Sequence, residues 1–199
     1  ASATSSSPAT QYALAKQYAF GNGVATDLRK AAKLYEQAAK QNYAPAQYRL
    51  GALYEKGTGV PQNDKLSFEW YEKAASQGIV KAMHNLGIIY AEGRGMKQDF
   101  VTAARWFDKA AEYGLGDSQY NLAILNERGL GIPQNLATAY KWFAIAANGG
   151  DKGAAQKRDE LAAKLDATAL AQAKLAVAGW TPRVPDASIN EDIGVNPSR

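Results

Sequence analysis

A chain of 199 residues, 46% of them apolar, can bury a sizeable core. Its 23 Lys and Arg against 19 Asp and Glu leave a net charge of +4, scattered and with no basic block interleaved with aromatics, which argues against nucleic acid. The absence of cysteine excludes disulfides, thiolate metal sites and a cysteine nucleophile, and no run of about 18 apolar residues is present to span a membrane.

The chain opens on ASATSSSPAT, without a basic n-region or an apolar h-region. Residues 1–8 are read as a Ser/Ala-rich linker, and the chain as a fragment of a longer protein. From residue 9 a single motif returns. Gly-x-Gly begins at Gly21, Gly57, Gly93 and Gly129, always 36 residues apart. A phosphate-binding loop needs one nest of backbone N–H groups beside one ligand, so four copies in register argue for an internal repeat instead.

The register extends over many columns. Leu14, Leu50, Leu86 and Leu122 share one. Tyr18, Tyr54 and Tyr90 share another, with Asn126 as the exception. Leu34-Tyr35, Trp70-Tyr71, Trp106-Phe107 and Trp142-Phe143 align, as do Ala38-Ala39, Ala74-Ala75, Ala110-Ala111 and Ala146-Ala147. Each copy is predicted to form two helices, A and B. In the second copy, helix A covers residues 45–56, with Pro45 suited to a helix start and an apolar stripe of Ala46, Leu50, Leu53 and Tyr54. Gly57 stops it, since glycine accepts a left-handed C-cap. Helix B covers residues 64–77, capped by Asn63 or Asp64, with Phe68, Trp70, Tyr71, Ala74 and Ala75 on its buried side.

One such hairpin cannot bury its own apolar face, whereas stacked hairpins bury a continuous core. The expected fold is all-α: a right-handed α-solenoid of helix–turn–helix repeats over residues 9–153, with one concave face. After Gly153 the pattern fails, and Arg158 stands where leucine is expected. Residues 154–178 remain helical by composition and form a C-terminal helical cap, with helices at 154–165 and 167–178 divided by Asp166 as an N-cap. Residues 179–199 are an irregular tail, either disordered or laid along the solenoid.

The residues Ala46-Leu50-Gly51-Tyr54-Gly57-Gly59-Val60, followed by Trp70-Tyr71-Lys73-Ala74-Ala75-Gly78, resemble the Sel1-like repeat, a relative of the tetratricopeptide repeat. The third copy matches nearly as well. The first lacks the glycine after Leu14, and the fourth has Ala123 there. The resemblance implies an adaptor or scaffold with a protein or peptide partner. The capping segment is similar to the ends of certain bacterial periplasmic Sel1 proteins, polar organelle development scaffolds among them, and this implies a periplasmic location and a role in cell polarity. Some secreted members carry a disulfide in each repeat, and this cysteine-free chain departs from them.

The function expected is non-catalytic. His84 is the chain's one histidine, with no second His or Cys to share a metal. No Gly-x-Ser-x-Gly elbow exists, although sequence alone leaves a Ser-His-Asp arrangement open. Glu55, Glu92 and Glu127 at helix A ends, and Asp27 and Asp99 near helix B starts, recur as caps and solvated faces do, whereas a catalytic carboxylate pair occurs once. No cofactor is implied. In related tetratricopeptide arrays the residue before the helix A leucine points into the concave groove. That column is Ala13, Arg49, Asn85 and Asn121, and amide and guanidinium groups suit peptide backbones and carboxylates. The preceding column, Tyr12, Tyr48, His84 and Tyr120, either adds amphipathic contacts to the groove or packs between helices. Arg49, Asn85, Asn121, Tyr48, His84 and Tyr120 are therefore the expected partner-binding residues. The alternative partner is peptidoglycan, on the basic balance and the 11 tyrosines.

Overall fold

The computed structural model describes residues 6–190 and Ile193. Linker residues 1–5 and tail residues 191, 192 and 194–199 lie outside the described residues. Among the described residues there is no strand. Four A helices, α1 (Pro8–Phe20), α3 (Ala44–Lys56), α5 (Val80–Glu92) and α7 (Gly116–Arg128), alternate with four B helices, α2 (Leu28–Lys40), α4 (Asp64–Ser76), α6 (Phe100–Glu112) and α8 (Leu136–Asn148). Then follow α9 (Lys152–Ala162), α10 (Ala167–Ala178) and the short α11 (Ala187–Asn190). The described chain groups into two compact units. One holds residues up to 82 with 187–190 and 193, and the other holds residues 83–186.

Helix ends follow from the columns. Asp27, Asn63, Asp99 and Asn135 each accept a hydrogen bond from the backbone N–H three residues on, at 2.9–3.1 Å. This satisfies one of the donors that a helix start leaves unpaired. Gly21, Gly57 and Gly129 close α1, α3 and α7 in the left-handed conformation. The second copy therefore starts one residue earlier in helix A than expected, and its helix B ends one residue earlier. The first capping helix differs more, at Lys152–Ala162 instead of 154–165. Asp151 caps it by accepting from the Ala154 N–H at 3.0 Å. Its last turn already loosens at Ala163, ahead of Asp166, which caps α10 by accepting from Ala169 N–H at 2.8 Å.

The core of each unit is built the same way. A ring from helix A lies on a ring from helix B of its own repeat. In the first unit Tyr12 meets Tyr35 at 5.5 Å between centroids, and Tyr48 meets Tyr71 at 5.8 Å. In the second, His84 meets Phe107 at 5.7 Å and Tyr120 meets Phe143 at 5.3 Å. The B-helix ring is fully buried because helix A is small where the ring approaches. A Cβ on Gly51 would stand 2.8 Å from the Tyr71 ring, and one on Gly87 would stand 2.6 Å from the Phe107 ring. Leu50, Leu86 and Leu122 are buried, while Leu14 in the same column of α1 is exposed.

In the second and fourth repeats the second glycine of Gly-x-Gly has a role beyond the turn. A Cβ on Gly59 would collide with the carbonyl of Leu28, at the start of the preceding repeat's helix B. A Cβ on Gly131 would collide with the Phe100 carbonyl in the same way. A Cβ on Gly23, by contrast, would meet nothing within 4 Å.

α9 and α10 pack on α8, and Leu161 and Ala173 complete the second core there. The described part of the tail is largely exposed but is tied down at a few points. Trp180 stands edge-on to Trp142 at 6.0 Å, and the Arg183 N–H donates to the Glu112 carbonyl at 2.8 Å. In the first unit, fully buried Asn190 accepts from the Val80 N–H at 3.0 Å and donates to the Gly78 carbonyl at 3.1 Å.

Two outcomes are expected. Gly23→Ala should cost only the left-handed conformation, about 1–2 kcal/mol. Gly59→Ala and Gly131→Ala should cost about 1–3 kcal/mol more, from the blocked joint. Equal losses in denaturant unfolding of the three variants would refute the joint. The side-chain and backbone hydrogen bonds from Thr102 hold the Asp99 carboxyl below its ordinary value of 3.8. Its contribution is therefore complete above that value and is lost as pH falls through the depressed one. Asp99→Asn keeps a competent cap, as Asn63 and Asn135 show, and should flatten the acid side of the Tm–pH curve.

Candidate functional site

In the second unit an open cleft of about 430 Å³ is lined by His84, Asp117, Tyr120, Asn121, Asp151 and Gly153. Asp117, Tyr120 and Asn121 follow the three- and four-residue spacing of one helix face on α7. α5 supplies His84. Asp151 is the cap of α9, and Gly153 lies in the first turn of that helix.

Each group is held by the repeat packing. The His84 ring lies against Phe107, and its Nδ1 shares a 2.8 Å hydrogen bond with the Ser118 hydroxyl. Tyr120 stands edge-on to Phe143 at 5.3 Å. Asp151 is fixed by its capping bond to Ala154. The cleft has two carboxylates and no lysine or arginine among its lining residues, so it is locally acidic within a basic chain. It suits hydrogen-bond donors and cations.

The Ser118–His84 pair is not a nucleophile and its base. Ser118 is fully buried, so its hydroxyl orients the imidazole and is out of reach of a substrate. The carboxylates at the A-helix ends have structural partners: Glu55 accepts from the Tyr71 hydroxyl at 2.7 Å, and Glu127 pairs with Lys157 at 3.4 Å. Among the described residues no group of three or more His, Asp or Glu is arranged to hold a metal.

Three of the six residues expected from sequence, His84, Tyr120 and Asn121, come together here. Asn85 follows His84 on α5 and is half-buried, outside the cleft lining. Tyr48 and Arg49 belong to the first unit. The Tyr48 ring lies against Tyr71, and burial pushes its phenol up. Arg49 is half-buried with its guanidinium 5.9 Å from the Tyr48 ring. Burial opposes its charge, but hydrogen bonding to Tyr12 and the surrounding tyrosines outweigh this and raise its pKa. The ring column thus packs within its own repeat. Tyr12 is buried completely, while Tyr48, His84 and Tyr120 keep part of their surface.

Asp151, Asp117 and Ser118 were not singled out from the sequence, yet the register marks two of them. The column of Asp151 otherwise holds Tyr43, Ile79 and Leu115, so an acid replaces a large apolar residue. Ser118 follows Thr10, Ala46 and Ala82 in its column, and its hydroxyl meets the histidine that replaces tyrosine in the repeat before it. Asp117 shares a column with Ala9, Pro45 and Lys81, which gives no signal.

Alternating A and B helices in one register, joined by ring contacts and closed by a helical cap, define an all-α solenoid of helix–turn–helix repeats. The Sel1 repeat matches residues 8–43, 44–79, 80–115 and 116–151, and the chain belongs to that family. It is similar to the crystal structure of a Sel1 repeat protein from Oxalobacter formigenes, with 35% identity and a TM-score of 0.72 over 77% of this chain and 44% of that one. It is similar to a protective antigen of uropathogenic Escherichia coli, with 29% identity and a TM-score of 0.53 over 87% of this chain and 45% of that one. It is also similar to cysteine rich protein B of Helicobacter pylori, with 26% identity and a TM-score of 0.52 over 68% of this chain and 98% of that one. The chain thus spans less than half the length of the first two. No curated protein matches it. Sel1 repeat proteins are in general protein–protein interaction scaffolds.

Ser118→Ala tests how the cleft is held. Alanine already occupies this column, so the backbone accepts it. The loss should be about 1 kcal/mol of stability. The single imidazole resonance of the chain should shift and broaden in NMR spectra. An unchanged resonance would remove Ser118 from the site.

Proposed function

We propose that this protein is a non-catalytic scaffold or adaptor that presents its A-helix surface, as a concave groove, to a protein or peptide partner. The observation that carries this is the cleft, where residues from two predicted A-helix columns meet two carboxylates around no accessible nucleophile. Binding there is surface complementarity. The side chains are already held by Phe107, Phe143 and Ser118, so little ordering cost opposes association. A partner segment carrying lysine, arginine or a free amine matches the cleft's charge.

The alternative, peptidoglycan, calls for exposed aromatic platforms. The ring column here spends its faces on B-helix rings, and Phe20 is the one strongly exposed aromatic among the described residues. That favours the protein partner. The proposal extends to a periplasmic location and a role in polar organisation, on the resemblance of the capping segment. No helix of the described residues is long and apolar enough to cross a membrane.

The test pairs cross-linking capture from bacterial envelope extracts with pelleting on purified sacculi. Both compare the wild type with an Asn121→Arg/Asp151→Asn variant of unchanged helicity. A defined protein partner should be recovered by the wild type and fall about tenfold with the variant, the weight of one lost charged contact. Pelleting on sacculi that survives physiological salt and disappears in the variant would replace the protein reading with the glycan one.

A further inference from the structure

The second unit contains another cleft, of about 500 Å³, on the B-helix side of the fourth repeat. Leu122, Asn126, Ile132, Thr138 and Trp142 line it together with Ala104. Trp142 is almost wholly buried beneath it. Arg105 and Asp108 stand at its rim, and burial raises the Asp108 carboxyl, with Glu112 adding to this and Lys141 opposing.

The cleft sits where the repeat departs from its own pattern. Asn126 occupies the column of Tyr18, Tyr54 and Tyr90. Those rings pack against the cores of their units. The asparagine side chain is too short to do so. It folds back along its own helix, its Nδ2 donating to the Leu122 carbonyl at 2.9 Å. The first repeat shows what surrounds a tyrosine in this column. There the Tyr18 hydroxyl accepts from Lys30 Nζ at 2.6 Å. The residue in register with Lys30 is Thr138, which lines the cleft. The fourth repeat therefore keeps an apolar floor of Leu122 and Trp142 and lacks the ring.

We propose that this cleft binds an aromatic side chain, tyrosine or phenylalanine, presented by a protein partner. The ring takes the place that the chain's own tyrosine takes in the other repeats, beside Leu122, Ile132 and the part of Trp142 that Lys141 and Trp180 leave open. That the ring's carrier is a protein rests on the scaffold proposal; the cleft and its preference for a ring do not.

The experiment uses the whole chain and a free amino-acid amide, so its result stands whatever becomes of the His84 cleft. N-acetyl-L-tyrosinamide is titrated while the indole N–H resonance of Trp142 is followed by NMR. Saturable shifts are expected, and N-acetyl-L-leucinamide should bind about tenfold more weakly, because a branched aliphatic group forfeits the ring contacts. Asn126→Tyr should restore the column, raise Tm and abolish the shifts. If that variant fails to fold, Ala104→Phe fills the cleft from α6, following Phe68 in the same column. No saturable shift in the wild type, equal binding of the leucine amide, or undiminished binding by a folded filled variant would each overturn the proposal.

Discussion

Every level above the single helix depends on one contact: the aromatic ring of helix B against the small residue of helix A. Tyr71 and Phe107 lie on Gly51 and Gly87, and the first and fourth repeats use Ala15 and Ala123 in the same column. A larger residue there would lift the ring away and separate the helices. With the ring seated, each hairpin hides a large apolar surface and still exposes a face that only the next repeat can cover. Leu14 is exposed in α1, where its counterparts Leu50, Leu86 and Leu122 are buried. The close approach of Gly59 to Leu28, and of Gly131 to Phe100, sets how tightly one repeat follows another.

A scaffold this regular makes its exceptions informative. Where a column holds, it serves packing or capping. Where it breaks, a surface feature appears. Tyrosine becomes His84 and alanine becomes Ser118, and the two bond to each other beside a cleft. An apolar column ends in Asp151, which both caps α9 and lends charge to that cleft. A tyrosine column ends in Asn126, which lines a second cleft together with Trp142. All three changes lie in the last two repeats. Function in such a fold is written as departures from the repeat, since the shared residues are already committed to the core.

Much of this was legible in the amino-acid order. The 36-residue interval, the Gly-x-Gly stops and the Asp/Asn caps are local signals, governed by backbone conformation and by donors within a turn of the helix. They located helix boundaries to within one residue in the second repeat. The first capping helix was less legible, because Asp151 could serve as a cap only if the chain turned there. Of the six expected site residues, His84, Tyr120 and Asn121 converge, whereas Asn85 points to no shared cleft and Tyr48 and Arg49 belong to a different unit. Helical spacing tells which residues share a face, but not which neighbouring elements reach the same space.

The sequence by itself determined the helix-turn-helix repeat, its register, its caps and its family, because each rests on spacing along one chain. Tertiary structure alone decided that Asp151 at the cap of α9 closes a cleft begun by α5 and α7, that Ser118 holds His84, and that Asn126 lines a cleft together with Trp142. It also decided that Asn190 returns over a hundred residues to bind Val80 and Gly78. These are contacts between side chains far apart in sequence. They follow from how closely helices approach, and that distance is set by the size of every residue packed between them.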